Sequence, residues 1–163
     1  MVVNTFVKYV EGKAYLVRAS SDLKERFGLS EEKEVPLPIL LYLVYTGVAE
    51  IVNEKGERIG FRDLVKSLKN ANTFSMFIVL YDLVKRGRKV GVGEIHNELV
   101  IIDEKIKIYV LDEDSYIVAE ELYKIVDRAI KQGYRLVVAV VDINGEVTYY
   151  EVNKTDFPRI ERR

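Results

Sequence analysis

The chain reads as α+β, with mixed α/β segments in two halves. A small N-terminal mixed domain (residues 1–72) precedes a domain built on a mixed sheet flanked by helices (73–153), and a tail follows (154–163). Three observations predict this. Runs that alternate apolar and polar residues are interleaved with apolar positions three and four apart, so periods of two and of about 3.6 both recur. Gly28, Gly47, Gly87 and Gly133 each stand just past a stretch of helical pattern, where a left-handed residue ends a helix. The chain closes on two alternating runs joined by Asn144-Gly145, the strongest short hairpin signal.

Residues 2–10 and 13–18 are strands that turn at Glu11-Gly12. Residues 20–27 form a short helix, capped by Ser20 or Ser21 and ended by Gly28. Pro36 or Pro38 opens a second helix running to Thr46, because proline's missing N–H needs no partner in a first turn. Gly47 closes it, and a strand at 48–52 and a polar turn at 53–56 follow. Phe61, Leu64, Val65 and Leu68 mark a third helix. The polar run 69–73 (KNANT) is the boundary between the halves, with Asn72 or Thr73 capping the next helix. That helix places Phe74, Phe77, Ile78, Tyr81 and Val84 on one face and ends at Gly87. Strands are expected at 88–92, 99–102 and 106–111, the last two joined by Asp103-Glu104-Lys105. Asp112, Glu113 and Asp114 then lead into a long helix ended by Gly133, where the helix dipole favours each acid by about 0.3–1 kcal/mol. Strands at 135–141 and 146–152 close the fold, and from Asn153 onward no regular structure is expected.

Composition narrows the function classes. Apolar residues at 48% and charged residues at 31% describe a folded, water-soluble chain rather than a disordered one. No apolar run is long enough to span a membrane and no signal peptide opens the chain, so a cytoplasmic location is expected. With no cysteine, thiolate metal sites, disulfides and cysteine catalysis are excluded. His96 is the single histidine, which rules out a histidine-rich zinc site. Abundant Lys, Glu and Arg with one glutamine is compatible with a thermophile. The formal charge of −1 shows no basic excess, so any RNA role calls for a partner or a local patch. Gly91 and Gly93 form only Gly-x-Gly, with no helix behind it to make a phosphate loop, and the tyrosines are spread along the chain without forming a stacking platform.

Three blocks carry a resemblance: LYLVYTGVAEIVNEKGERIGFRDLV at 41–65, LYDLVKRG at 80–87 and LVVAVVDINGEVTYYEV at 136–152. In this order they resemble the archaeal tRNA-splicing (tRNA-intron) endonucleases over residues 36–152. The resemblance implies a nuclease-like C-terminal domain and a metal-independent, cofactor-free cleavage of RNA. In that chemistry the ribose 2′-OH attacks the adjacent phosphorus, a tyrosine acts as base, a histidine as acid, and a lysine steadies the phosphorane. Carried over by position, all three are missing. The strand that should end in the tyrosine, 99–103, has none; the turn 103–106 has no histidine; Tyr134 and Arg135 occupy the lysine position. Two assembly features of the family are retained. Asp112, Glu113 and Asp114 match an acidic loop that docks into a basic cleft of a neighbouring subunit, and Val147, Tyr149, Tyr150 and Val152 match a strand that pairs subunits. The resemblance therefore implies the non-catalytic structural subunit of the heterotetrameric enzyme that removes precursor-tRNA introns at bulge–helix–bulge junctions, with a catalytic endonuclease subunit as its partner, two copies of each.

Each signal has a plainer counterpart. The three acids read otherwise as a solvated turn, and alternation in a strand leaves only one of Tyr149 and Tyr150 free for an interface. Lys85, Arg86, Arg88, Lys89 and Arg135 are candidate contacts to an RNA backbone, or simply solvated cations near a helix end. Two other functions stay open on the residues: an active endonuclease with a rearranged site using His96, Arg135 and a tyrosine, and a protein-binding module outside splicing.

Overall fold

The computed structural model describes residues 4–161. Strand β1 (Thr5–Val10) and β2 (Lys13–Arg18) turn at Glu11 and Gly12, both at positive φ, 50° and 80°. Such a turn matches the right-handed twist of paired strands. Val2 and Val3 of the expected first strand lie outside the described residues. Helix α1 (Ser21–Phe27) is capped as expected: the Leu23 N–H donates to Ser20 Oγ at 3.3 Å, and Gly28 ends it at φ 65°. A two-residue strand, β3 (Glu34–Val35), too short to show a period, was not anticipated. Helix α2 (Leu37–Tyr45) starts behind Pro36 and buries Ile39, Leu40, Leu41 and Leu43. Strand β4 (Ala49–Val52) lies parallel to β1 and completes a four-stranded sheet of order β3-β2-β1-β4. Helix α3 (Phe61–Lys66) stops short of Leu68.

Helix α4 (Ala71–Lys85) departs from the expectation in two ways. Its cap is Asn70, whose side chain accepts from the Asn72 N–H at 3.0 Å; Asn72 itself and Thr73 belong to the first turn. Its most buried side carries Met76, Val79, Leu80 and Leu83, while Phe74 and Tyr81 of the expected face stay over a third exposed. The helix is apolar on two sides because it is packed on two sides. One side meets the second sheet. The other meets α2 and α3, where rings of Tyr45 and Phe77 lie 5.6 Å apart, Tyr45 and Tyr81 5.5 Å, and Phe61 and Phe77 5.5 Å. Tyr42, Tyr45 and Tyr81, dispersed in sequence, are thereby neighbours.

The second sheet has order β5-β6-β7-β8-β9: Val90–Val92, Glu98–Ile101, Ile106–Asp112, Arg135–Val141 and Val147–Val152. Only β7 and β8 run parallel, joined through helix α5 (Ala119–Lys131). The helix does not start at the three acids. It starts behind Val118, and Glu120 and Glu121 hold the dipole-favoured first turn, because residues 113–118 leave β7 as a turn and an extended stretch. Helix α4 covers one face of this sheet over Leu99, Ile101, Ile108, Val110 and Ala139. Helix α5 covers the other with Ile125, Val126 and Ala129 over Tyr109, Leu136 and Val138. The larger apolar core continues from Val7, Leu16 and Ile51 of the first sheet through α2 and α4 to the second. In the β5–β6 turn, a Cβ on Gly93 would lie 2.2 Å from Oε1 and 2.5 Å from Cγ of Glu98, which is only 2% exposed. Gly93→Ala must displace that buried carboxylate, and it is expected to lower stability by about 2–3 kcal/mol, seen as an earlier urea midpoint with unchanged slope.

Candidate functional site

Because β7 and β8 are parallel, the five-stranded sheet has two chemically different ends. The N-terminal end holds the 102–105 turn, Tyr134 and Arg135; the C-terminal end holds residues 112–118 and the 142–146 turn. Strand β7 has seven residues, so the two ends stand roughly 20 Å apart at about 3.3 Å per residue.

At the N-terminal end, Glu104 and Arg135, two of the positions expected to match the family's chemistry, are held in ion pairs. Arg135 grips Glu151 through two bonds, Nε at 2.9 Å and Nη2 at 3.1 Å. That grip holds the Glu151 carboxyl below its usual range and the Arg135 guanidinium above its own. Arg88 pairs with Glu104, Arg86 with Asp82 at 2.9 Å, and Lys89 with Glu25 at 3.8 Å. Lys85 is exposed and has no ion pair among the described residues. The candidate RNA-contacting cations are thus mostly matched within the chain, and a phosphate would compete with those carboxylates. Tyr149 donates to Asp82 at 2.6 Å; burial first, and then this bond, push its hydroxyl above the ordinary phenol value. It is a fixed donor rather than a base. A cavity of about 220 Å³ with an apolar floor of Leu83, Ile101, Ile106, Ile108 and Val137 opens beside it.

His96 sits in the β5–β6 turn, exposed, with Nε2 3.3 Å from Nδ2 of Asn70. That turn is at the other end of β6 from residues 102–105, so His96 and Arg135 are not brought together.

At the C-terminal end, Asp112 and Glu113 are engaged by the chain itself. Asp112 accepts from Ser75 of α4, and Glu113 accepts from the Ile143 N–H at 2.9 Å while its own N–H donates to Val141 at 2.9 Å. Asp114 is exposed, with no side-chain bond among the described residues. Strand β9 is an edge: β8 covers one side and its other side is unpaired. Its side chains alternate. Val147 and Tyr149 turn to the core under α4, Val152 packs with the core under α5, and Tyr150 remains 55% exposed. The tail residues 153–161 have no regular structure; Lys154 holds Asp127 of α5 at 2.8 Å.

One cluster went unseen in the sequence. Lys107 Nζ lies 3.6 Å from Glu98, donates to Gln132, and stands 5.0 Å from the Tyr134 ring centre, beside a cavity of about 310 Å³. Alternation puts Glu98 and Lys107 opposite their core-facing neighbours, which reads as a solvent face; the end of α5 and Tyr134 bury it.

Among the described residues no three or more His, Cys, Asp or Glu are placed to hold a metal ion, and no helix is long and apolar enough to cross a membrane. No family model matches the chain, and no curated protein is significantly similar to it in sequence.

The depressed Glu151 carboxyl gives a pH-dependent test. Its contribution to stability is full above the usual carboxylate range and is lost as pH falls through the lowered folded value. Arg135→Gln is expected to return the Glu151 titration upward to the ordinary carboxylate range, read by carbon-detected NMR of the side-chain carboxyl.

Proposed function

We propose that this chain is the non-catalytic, structural subunit of a tRNA-splicing endonuclease, acting in the cytoplasm. The observation that carries the reading is a division of labour between the two ends of one sheet. At the end where the resemblance locates catalysis, Arg88, Glu104, Arg135 and Glu151 neutralise one another. At the other end, and along β9, an acidic loop and an unpaired strand edge face outward. An unpaired edge offers its free backbone groups as a template for another strand. On this reading the catalytic subunit covers it, in an assembly with two copies of each chain. The complex, not this chain alone, meets the RNA, and the fixed spacing of two catalytic subunits measures the bulge–helix–bulge junction by its shape.

Two outcomes follow. The purified chain is expected to leave an intron-containing precursor tRNA intact, while a mixture with the catalytic subunit cuts it at both junctions, giving fragments with cyclic phosphate ends on a denaturing gel. Full cleavage by the pure chain would defeat the reading. His96→Ala is expected to leave the cleavage rate of the complete complex unchanged. A large loss would instead favour an active site rearranged around His96.

A further inference from the structure

The side of α4 that meets α2 and α3 carries a cluster of rings. Phe77 is buried at its centre. Phe74, Tyr81, Tyr45 and Phe61 surround it, with centroids 5.7, 6.3, 5.6 and 5.5 Å away. The outer rings touch one another as well: Tyr45 lies 5.5 Å from Tyr81 and 5.1 Å from Phe61. They are not closed over, for Tyr45 is 54% exposed, Phe74 37% and Tyr81 36%. Single exposed apolar side chains are ordinary on a protein surface, whereas a contiguous patch of them marks a binding surface. The sequence scatters these rings over three helices and shows no platform; the packing of the helices makes one. Charge around the cluster is one-sided. Residues 37–48 carry no charged side chain, and residues 61–85 carry four cations, Arg62, Lys66, Lys69 and Lys85, against two acids, Asp63 and Asp82. All four cations are exposed and have no ion pair among the described residues. Asp82 is taken up by Arg86 and Tyr149. Tyr81 and Lys85, four residues apart on α4, are neighbours on the helix surface.

We propose that this cluster is a stacking platform for single-stranded nucleic acid, in which Tyr45, Tyr81 and Phe74 take bases and the flanking cations take phosphates. Charge decides the occupant. A patch rimmed by unmatched cations suits a polyanion, and the polyanion that also presents flat apolar faces is an unpaired strand. Every base has a π face, so rings hold a strand without reading its sequence, while cations beside them follow its backbone. A duplex keeps its base faces inside its own stack and offers the rings nothing. Because Phe77 fixes the outer rings from below, little side-chain freedom is lost when a base settles on them. The site goes beyond the subunit reading, in which this chain meets precursor tRNA only within the complex. It belongs to the chain's own surface and needs no catalytic partner.

The test is a fluorescence-anisotropy titration of the full-length chain against fluorescein-labelled strands of roughly twelve nucleotides. A uridine and a thymidine strand are both expected to bind, since neither ring nor cation reads the 2′-OH. An abasic strand of the same length keeps the phosphates and is expected to bind about tenfold more weakly or worse. Tyr45→Leu and Tyr81→Leu keep an apolar side chain over Phe77, and each is expected to raise Kd by about fivefold or more. Tyr81→Phe keeps the ring and the affinity. The chain has no tryptophan, so its emission comes from tyrosine, and a saturating strand is expected to quench less of it in Tyr81→Phe than in the wild type. Lys85→Gln is expected to lower the slope of log K against log salt by about 0.7. Tyr123→Leu removes a tyrosine 56% exposed on α5, across the sheet, and is expected to change nothing. The platform is overturned if neither strand binds, or if the abasic strand binds within about twofold of the uridine strand. It is also overturned if both leucine variants bind as the wild type does, or if Tyr123→Leu loses as much as they do. None of these outcomes bears on the subunit reading, which the cleavage assay tests separately.

Discussion

Helix α4 is the constraint on which the remainder of the molecule depends. It is packed against α2 on one side and the five-stranded sheet on the other, with Met76, Phe77, Val79, Leu80 and Leu83 buried between them. At about 1.5–3 kcal/mol per fully buried large apolar side chain, this one element accounts for much of the adhesion between the two sheets. Its few polar residues are equally placed. Asn70 reaches His96 in the β5–β6 turn, Ser75 reaches Asp112 at the start of the acidic loop, and Asp82 reaches Tyr149 on the edge strand. A single helix is therefore tied to the β5–β6 turn, to the acidic loop and to the edge strand.

Charge is distributed with a similar economy. The chain is nearly neutral overall, and around the start of β8 Arg88 and Arg135 are matched to Glu104 and Glu151 from other elements, while Lys105 has no ion pair among the described residues. Exposed pairs of this kind add little to stability, but they cancel the local field. The C-terminal end of the sheet is different, since its acids have no cation among residues 112–118 and 142–146.

The Glu98–Lys107 pair is the costliest interior feature. Two charges leave water, and Lys107 recovers part of that cost from the Gln132 carbonyl and the face of Tyr134. The pair fixes where β6, β7 and the end of α5 meet. Gly93 is required there because no side chain fits against the Glu98 carboxylate.

The sequence by itself determined the local order of elements. Alternation, helical spacing and turn chemistry identified both hairpins, the helix-ending glycines and the α+β class, because these depend on a few adjacent residues and their backbone preferences. It failed where neighbours in space override neighbours in the chain. An apolar stripe on α4 is legible, but a helix packed on two sides has a second apolar side, through Met76, Val79, Leu80 and Leu83, that the stripe does not show. Three acids ahead of a helical pattern were read as its first turn, although the chain spends six residues in reaching Ala119. The meeting of Tyr42, Tyr45 and Tyr81, the burial of Glu98 with Lys107, and the internal capture of Asp112 and Glu113 were decided by tertiary structure alone. Each depends on which elements cover which face, and no short-range pattern encodes that.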